Sequence, residues 1–290
     1  MSSSATAPSP SIVSLNGCCA MDADKLEVQK QWDQDPCGAS TVRDREPGTL
    51  EFYRAIRDHR YLEYAPWMND VMGFADWRGK DVLEIGVGLG SDHFRFAQAG
   101  ASMTAIDLSQ EHLRQTKRHL QLERLSTNTH YGDAEKMPFS QASFDAVYSF
   151  GVLHHTPNTE AAIAEVHRVL RPGGTAIVGL YHRHSWFFWV TILLVHGVLK
   201  AGLIRKGWRT LLSEIEYRSS DNGARPLVKL YSRQQTRALF ANFSRVHLQT
   251  VHVEAGHLHR FGFPLRRIPR AILERYCSCF GWYVIVKAVK

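Results

Sequence analysis

Short apolar runs recur through the middle of the chain. Each is separated from the next by a stretch in which apolar residues return every three or four positions. Asp81–Gly86 (DVLEIG), Met103–Asp107 (MTAID), Phe144–Phe150 (FDAVYSF) and Thr175–His182 (TAIVGLYH) have the length and apolar content of buried strands. Asn128–Gly132 (NTHYG) is a weaker strand of the same kind. Helical spacing fills the gaps. One helix is expected from Ser91 to about Gln98. A second comes after Ser109, a candidate N-cap, and carries Leu113, Leu120 and Leu122. A third spans about Glu160–Leu170, with Ile163, Val166 and Leu170 on one stripe, and is expected to stop at the RPGG of Arg171–Gly174. Strands alternating with helices of this length predict an α/β fold, a doubly wound and mostly parallel sheet.

The rhythm changes after His184. Ser185–Leu212 is apolar and then basic. A helix over Ser232–Phe243 precedes two strand-like runs, RVHLQTVHVE and GWYVIVKAVK. These read as an antiparallel pair on one side, making a Rossmann-like sheet of seven strands. The expected organisation is a disordered tail (1–24), an N-terminal helical lid (25–79) and a core (80–290) with an apolar insert at about 185–230.

Composition changes this picture little. The 290 residues are 44% hydrophobic and 22% charged, as in ordinary soluble proteins. The net charge of +7 favours anionic neighbours or is simply a solvated surface. Cys18, Cys19, Cys37, Cys277 and Cys279 are odd in number and lack CxxC spacing, so neither a disulfide framework nor a metal site is expected. Reduced thiols fit the cytoplasm. The first basic residue is Lys25, and the Ser/Ala/Pro-rich start has no apolar run, so no secretory signal is expected.

The most informative stretch is Val82–Gly90, VLEIGVGLG. A buried strand runs into Gly86, Gly88 and Gly90, where missing Cβ atoms let a ligand approach the backbone. The next helix turns its free N–H groups to the same place. Asp107 stands 21 residues after Gly86 at the end of the second strand, where an acid can accept both hydroxyls of a ribose. Asp133 comes just after the third strand and can accept from an exocyclic amine. A dinucleotide loop would carry its last small residue at the position of Ser91, which leaves a nicotinamide cofactor open as an alternative.

Together VLEIGVGLG, AIDLS, GDAEKMPF, SFDAVYSFGVLHHTPN and RVLRPGG resemble the class I S-adenosylmethionine-dependent methyltransferases, and among them the ubiquinone/menaquinone-biosynthesis C-methyltransferase branch. The resemblance covers about Lys80–His182. It implies that Gly86, Gly88 and Gly90 hold the methionine end of the cofactor. It also implies that Asp107, with Leu108, takes the ribose, that Asp133 and Ala134 take the adenine, and that Phe150 lies near the cofactor. Glu84 opens the motif and supports the loop.

The resemblance also places His154 and His155 beside the transferring methyl. The Asn/Asp-Pro-Pro-aromatic motif of some amine methylators is absent there, which argues against nucleic-acid bases as acceptors. On an extended segment adjacent side chains point to opposite sides, so the two histidines are not expected to share a metal ion. His155 is expected on the acceptor side as a base or a pocket wall, with His154 and Tyr181 as further catalytic candidates; the alternative is that both histidines are structural loop residues.

The expected function is therefore methylation, at carbon or oxygen, of a small hydrophobic acceptor of the lipid or quinone kind. A non-catalytic cofactor-binding module and a nicotinamide-dependent oxidoreductase are the alternatives. Trp186–Val195 is too short to span a bilayer, and His196 and Lys200 interrupt the apolar residues beyond it. With Arg205, Lys206, Trp208 and Arg209 behind it, the 185–209 segment suits contact with a membrane surface.

Overall fold

Strand β1 (Asp81–Ile85) lies inside the sheet, and its four residues after Asp81 are buried. It is flanked by parallel partners, β2 (Ser102–Asp107) and β4 (Phe144–Phe150). The computed structural model describes residues 22–216, 224–253, 275–276 and 278–290. With β3 (Asn128–Tyr131), β5 (Leu170–Tyr181), β6 (Arg245–Val251) and β7 (Tyr283–Val289), the sheet has the order β3-β2-β1-β4-β5-β7-β6. β7 is antiparallel to both its neighbours, and the five strands from β3 to β5 are parallel. The seven-stranded, mostly parallel α/β fold expected from the sequence is the fold observed.

Alternation along the strands builds two cores. Val82, Tyr148, Ile177 and Ile285 face one side, while Leu83, Val147, Val178 and Val286 face the other. Helices cover both faces. Those that bear on the site or its surroundings are α1 (Ala23–Gln34), α2 (Leu50–Asp58), α3 (Ser91–Gln98), α4 (Gln110–Leu122), α5 (Thr159–Val169), α6 (Phe187–Leu199), α7 (Gly202–Ser213) and α8 (Arg233–Leu239). Ser109 caps α4 by accepting from His112 N, and Asn158 caps α5 by accepting from Ala161 N.

Three expectations change. Helix α5 ends at Val169, not at the glycines. Leu170 is already extended and pairs with Phe144, so the RPGG stretch belongs to β5. Arg171, ahead of Pro172, is biased away from helix, which fits the early stop. The helix expected over Ser232–Phe243 is shorter, Arg233–Leu239, with Ser232 closing a capping box with Gln235. Helix α1 begins at Ala23, inside the expected tail, with Asp22 as its cap. The rest of the tail, with Cys18 and Cys19, lies outside the described residues, as do Cys277 and residues 217–223 of the insert.

Candidate functional site

The strand order reverses between β1 and β4, and a crevice opens beyond the carboxyl ends of both. A cavity of about 270 Å³ occupies it. The turn after β1 forms one wall. Gly86, Gly88 and Gly90 all have positive φ, +75°, +53° and +75°. A Cβ on Gly86 would stand 2.2 Å from Val152 Cγ2, and one on Gly90 would stand 3.0 Å from Thr116. At Gly88 a Cβ would meet nothing within 4 Å. Gly86 and Gly90 are thus fixed by packing as well as backbone, and Gly88 by backbone alone, beside open space.

Asp107 ends β2 and locks the turn from below. Its carboxylate accepts from Val87 N (2.9 Å), Ser109 N (2.8 Å) and His112 Nδ1 (3.2 Å). Burial works against its charge, but His112 and the two amides hold its carboxyl below the ordinary range. The same pairing lifts His112 above the usual imidazole range despite burial. His112 Nε2 is buried without a partner at the cavity wall.

Glu84 lies beneath the loop and accepts from His93 Nδ1 at 2.9 Å. Burial, and then the charge of Asp92, push its carboxyl well above the ordinary range. It has a structural partner and also lines the cavity. Leu108, Asp133, Ala134 and Phe150 line it too. Asp133 is engaged by the Lys25 ammonium at 2.6 Å, which also meets Glu135 at 2.5 Å. Burial opposes the Lys25 charge, and these two bonds hold its pKa above the usual lysine range.

The acceptor side departs from the sequence reading. Leu153–His155 form a 3-10 turn, not an extended segment, so His154 and His155 do not point to opposite sides. Their ring centres are 4.2 Å apart. His155 lines the cavity and donates from Nδ1 to the Leu227 carbonyl at 2.6 Å. His154 is fully buried, lies against the Tyr181 ring at 3.8 Å, and does not line the cavity. Burial, and then His155, push its pKa well below the imidazole range, so His154 is neutral. Tyr181 donates to Glu216 at 2.9 Å, and Glu216 stands 3.8 Å from His155 Nε2. Aromatic rings continue this wall. Tyr181 stacks on Trp282 at 4.4 Å, and Phe187 meets Trp282 edge-on at 4.8 Å.

Several cavity residues escape sequence reasoning. Arg60 reaches Asp92 through two bonds, 2.8 and 2.6 Å, and Tyr61 and Tyr148 donate to the same carboxylate. Asp92 carries a signal, an acid in the first turn after the glycine loop. Arg60, Lys25 and Glu216 carry none, since their partners are far along the chain.

This arrangement, a glycine turn and two strand-end acids at the switch point of a seven-stranded sheet, has matches among known proteins. Residues 83–178 match the methyltransferase domain family. Over 122 residues the chain is 33% identical to the demethylmenaquinone methyltransferase of Streptomyces avermitilis, covering 41% of this chain and 51% of that protein. Over 181 residues it is 29% identical to the ubiquinone biosynthesis O-methyltransferase of Aromatoleum aromaticum, covering 62% and 72%. A solved S-adenosylmethionine-dependent methyltransferase from Thermotoga maritima superposes with a TM-score of 0.52 at 16% identity, over 90% of this chain and 99% of that one. The chain spans about half the length of the first curated relatives it matches. Over residues 83–178, about a third of its length, the chain matches a methyltransferase domain, and the enzymes it resembles there use S-adenosylmethionine.

Proposed function

We propose that the protein transfers a methyl group from S-adenosylmethionine to carbon or oxygen of a small hydrophobic acceptor of the quinone or lipid kind. One observation carries this reading: the cavity runs from the glycine turn and Asp107 into a wall of Phe150, Tyr181, Phe187, Trp282 and Tyr283. A flat apolar acceptor suits such a wall, and the names of the Streptomyces and Aromatoleum relatives point the same way.

The cavity fits the cofactor. Gly88 opens on free space, and the buried, unpartnered His112 Nε2 stands beside an Asp107 carboxylate with acceptor capacity to spare. The turn Gly86–Gly90 would hold the methionine end, Asp107 and Leu108 the ribose, Asp133 and Ala134 the adenine, with Phe150 alongside. Glu84 braces the turn through His93. Lys25 must share or release Asp133 when adenine arrives. The bound cofactor supplies an electrophilic methyl on a sulfonium. The protein's own work is alignment and exclusion of water. His155, backed by His154 and Tyr181, holds the accepting atom, and Trp282 and Phe187 keep that end dry.

The acceptor would enter from a membrane surface. No helix among the described residues is long and apolar enough to cross a bilayer. Helices α6 and α7 nevertheless expose Trp189, Leu199, Ile204 and Trp208 next to Lys200, Arg205 and Arg209. Apolar side chains bordered by cations suit an anionic bilayer at the cytoplasmic face. Phe187 and Ile215 of the same insert line the cavity, so surface and cavity adjoin.

A thermal-shift and calorimetry pair tests the core of this reading. S-adenosylmethionine, not a nicotinamide dinucleotide, should raise Tm. Asp107→Ala should weaken its binding by about 1–3 kcal/mol. Unchanged affinity in that variant would remove Asp107 from the cofactor site. A lipid extract incubated with protein and cofactor should yield a product heavier by one methylene.

A further inference from the structure

The acceptor end of the cavity holds polar atoms that no neighbour satisfies. A carbonyl can only accept, so the bond to Leu227 puts the His155 hydrogen on Nδ1. Its Nε2 then presents a lone pair, buried and without a hydrogen-bond partner. Facing it at 3.8 Å is a second acceptor, the Glu216 carboxylate, whose side chain is 8% exposed. Behind both lies His154, 0% exposed, with neither ring nitrogen paired. Buried polar groups are nearly always satisfied, so unpaired ring nitrogens converging on a carboxylate call for a cation among them.

We infer that His154, His155 and Glu216 form a site for one divalent cation of the zinc class, open on its fourth side to the cavity. One ligand atom from each lies within 4.8 Å of the others. A tetrahedral zinc at about 2.0–2.1 Å holds its ligands about 3.3 Å apart, so side-chain rotations alone close the gap. The outer contacts are those of a metal centre. A ligating histidine donates its other N–H to a backbone carbonyl, as His155 does to Leu227. A ligating carboxylate accepts a further hydrogen bond, as Glu216 does from Tyr181. Two imidazoles and one carboxylate suit a borderline cation better than magnesium or calcium. The 3-10 turn is what makes the pair possible, since it gathers two adjacent rings that an extended chain would part.

His155 and Glu216 both line the cavity, so the fourth coordination position opens there. An acceptor hydroxyl bound at that position would release its proton to water. Its oxygen lone pair would form the new bond to the methyl carbon while the sulfur–methyl pair returns to sulfur. This last consequence rests on the methyltransferase reading and selects oxygen as the accepting atom. The cation site itself does not depend on it.

Cobalt(II) is the probe. Chelator-stripped full-length protein titrated with Co²⁺ should develop ligand-field bands of a four- or five-coordinate site, and equimolar Zn²⁺ should erase them and raise Tm. His155→Ala and the isosteric Glu216→Gln should each weaken Co²⁺ binding about 100-fold or more, while Cys279→Ser should leave it unchanged. Absent bands in the wild type, or equal binding in both site variants, would overturn the site. Calorimetry of S-adenosylmethionine on the same metal-free protein separates the two readings. Cofactor bound without a cobalt site sinks only the cation. Cobalt bound without cofactor sinks only the methyltransferase.

Discussion

Three histidines show what burial does at the scale of a residue. Burial first, then neighbouring His119, brings His93 down to about 3, while burial, outweighing a backbone bond in each ring, brings His119 and His182 down to about 4. Unfolded imidazoles titrate near 6.5. Between those values the unfolded chain takes up protons that the folded one refuses, so stability drains as pH falls below about 6.5. His112 runs the other way. Its raised pKa gives stability that is present below 6.5 and lost as pH rises through its folded value. With His130, His154 and His167 also lowered, six imidazoles oppose one among the described residues, so Tm should fall steadily from pH 7 to pH 4. Melting curves at pH 7.5, 6 and 4.5 check this, and a flat profile would mean that these rings accept protons in place.

At the scale of an element, the turn after β1 separates two uses of glycine. Gly86→Ala adds a methyl 2.2 Å from Val152 Cγ2 in a left-handed backbone. Gly88→Ala adds only the backbone strain, about 1–2 kcal/mol. The first should be less stable than the second by a further 1–3 kcal/mol or so, read from urea denaturation. Equal losses would show that Val152 yields. Elements and site divide in legibility along the same line. The strands, the cap at Ser109, the glycine turn and Asp107 are legible in the sequence because each signal is local. The Arg60–Asp92 pair, Lys25 on Asp133 and Glu216 opposite His155 are not, because folding brings together residues 32, 108 and 61 positions apart. The histidine pair misleads for a related reason. Sequence alone reads the run-out of β4 as extended, and its three-residue turn reverses the geometry of adjacent side chains.

At the scale of the molecule, the apolar surface of the insert is where the proposed membrane contact can be tested. Ile204 is 91% exposed, and Trp189 and Leu199 are half or more exposed, whereas Phe188 is buried. The protein should pellet with anionic liposomes at low salt and release as salt screens the basic flank. Trp189→Glu with Ile204→Glu should stay in the supernatant while binding cofactor normally. Wild-type protein that never pellets would return the acceptor to water-soluble chemistry.

The switch between β1 and β4 has a consequence for how such a chain diversifies. Everything assigned to the cofactor except Phe150 comes from β1, β2, β3 and the turns at their carboxyl ends. Everything assigned to the acceptor comes from β4 onward, including the insert and Trp282. The first half is a chassis and the second a head, joined along the β1–β4 ladder and by bonds such as Tyr148 to Asp92 and Arg171 to Asp81. On the proposed reading, replacement of the insert should change the acceptor while the cofactor end stays the same.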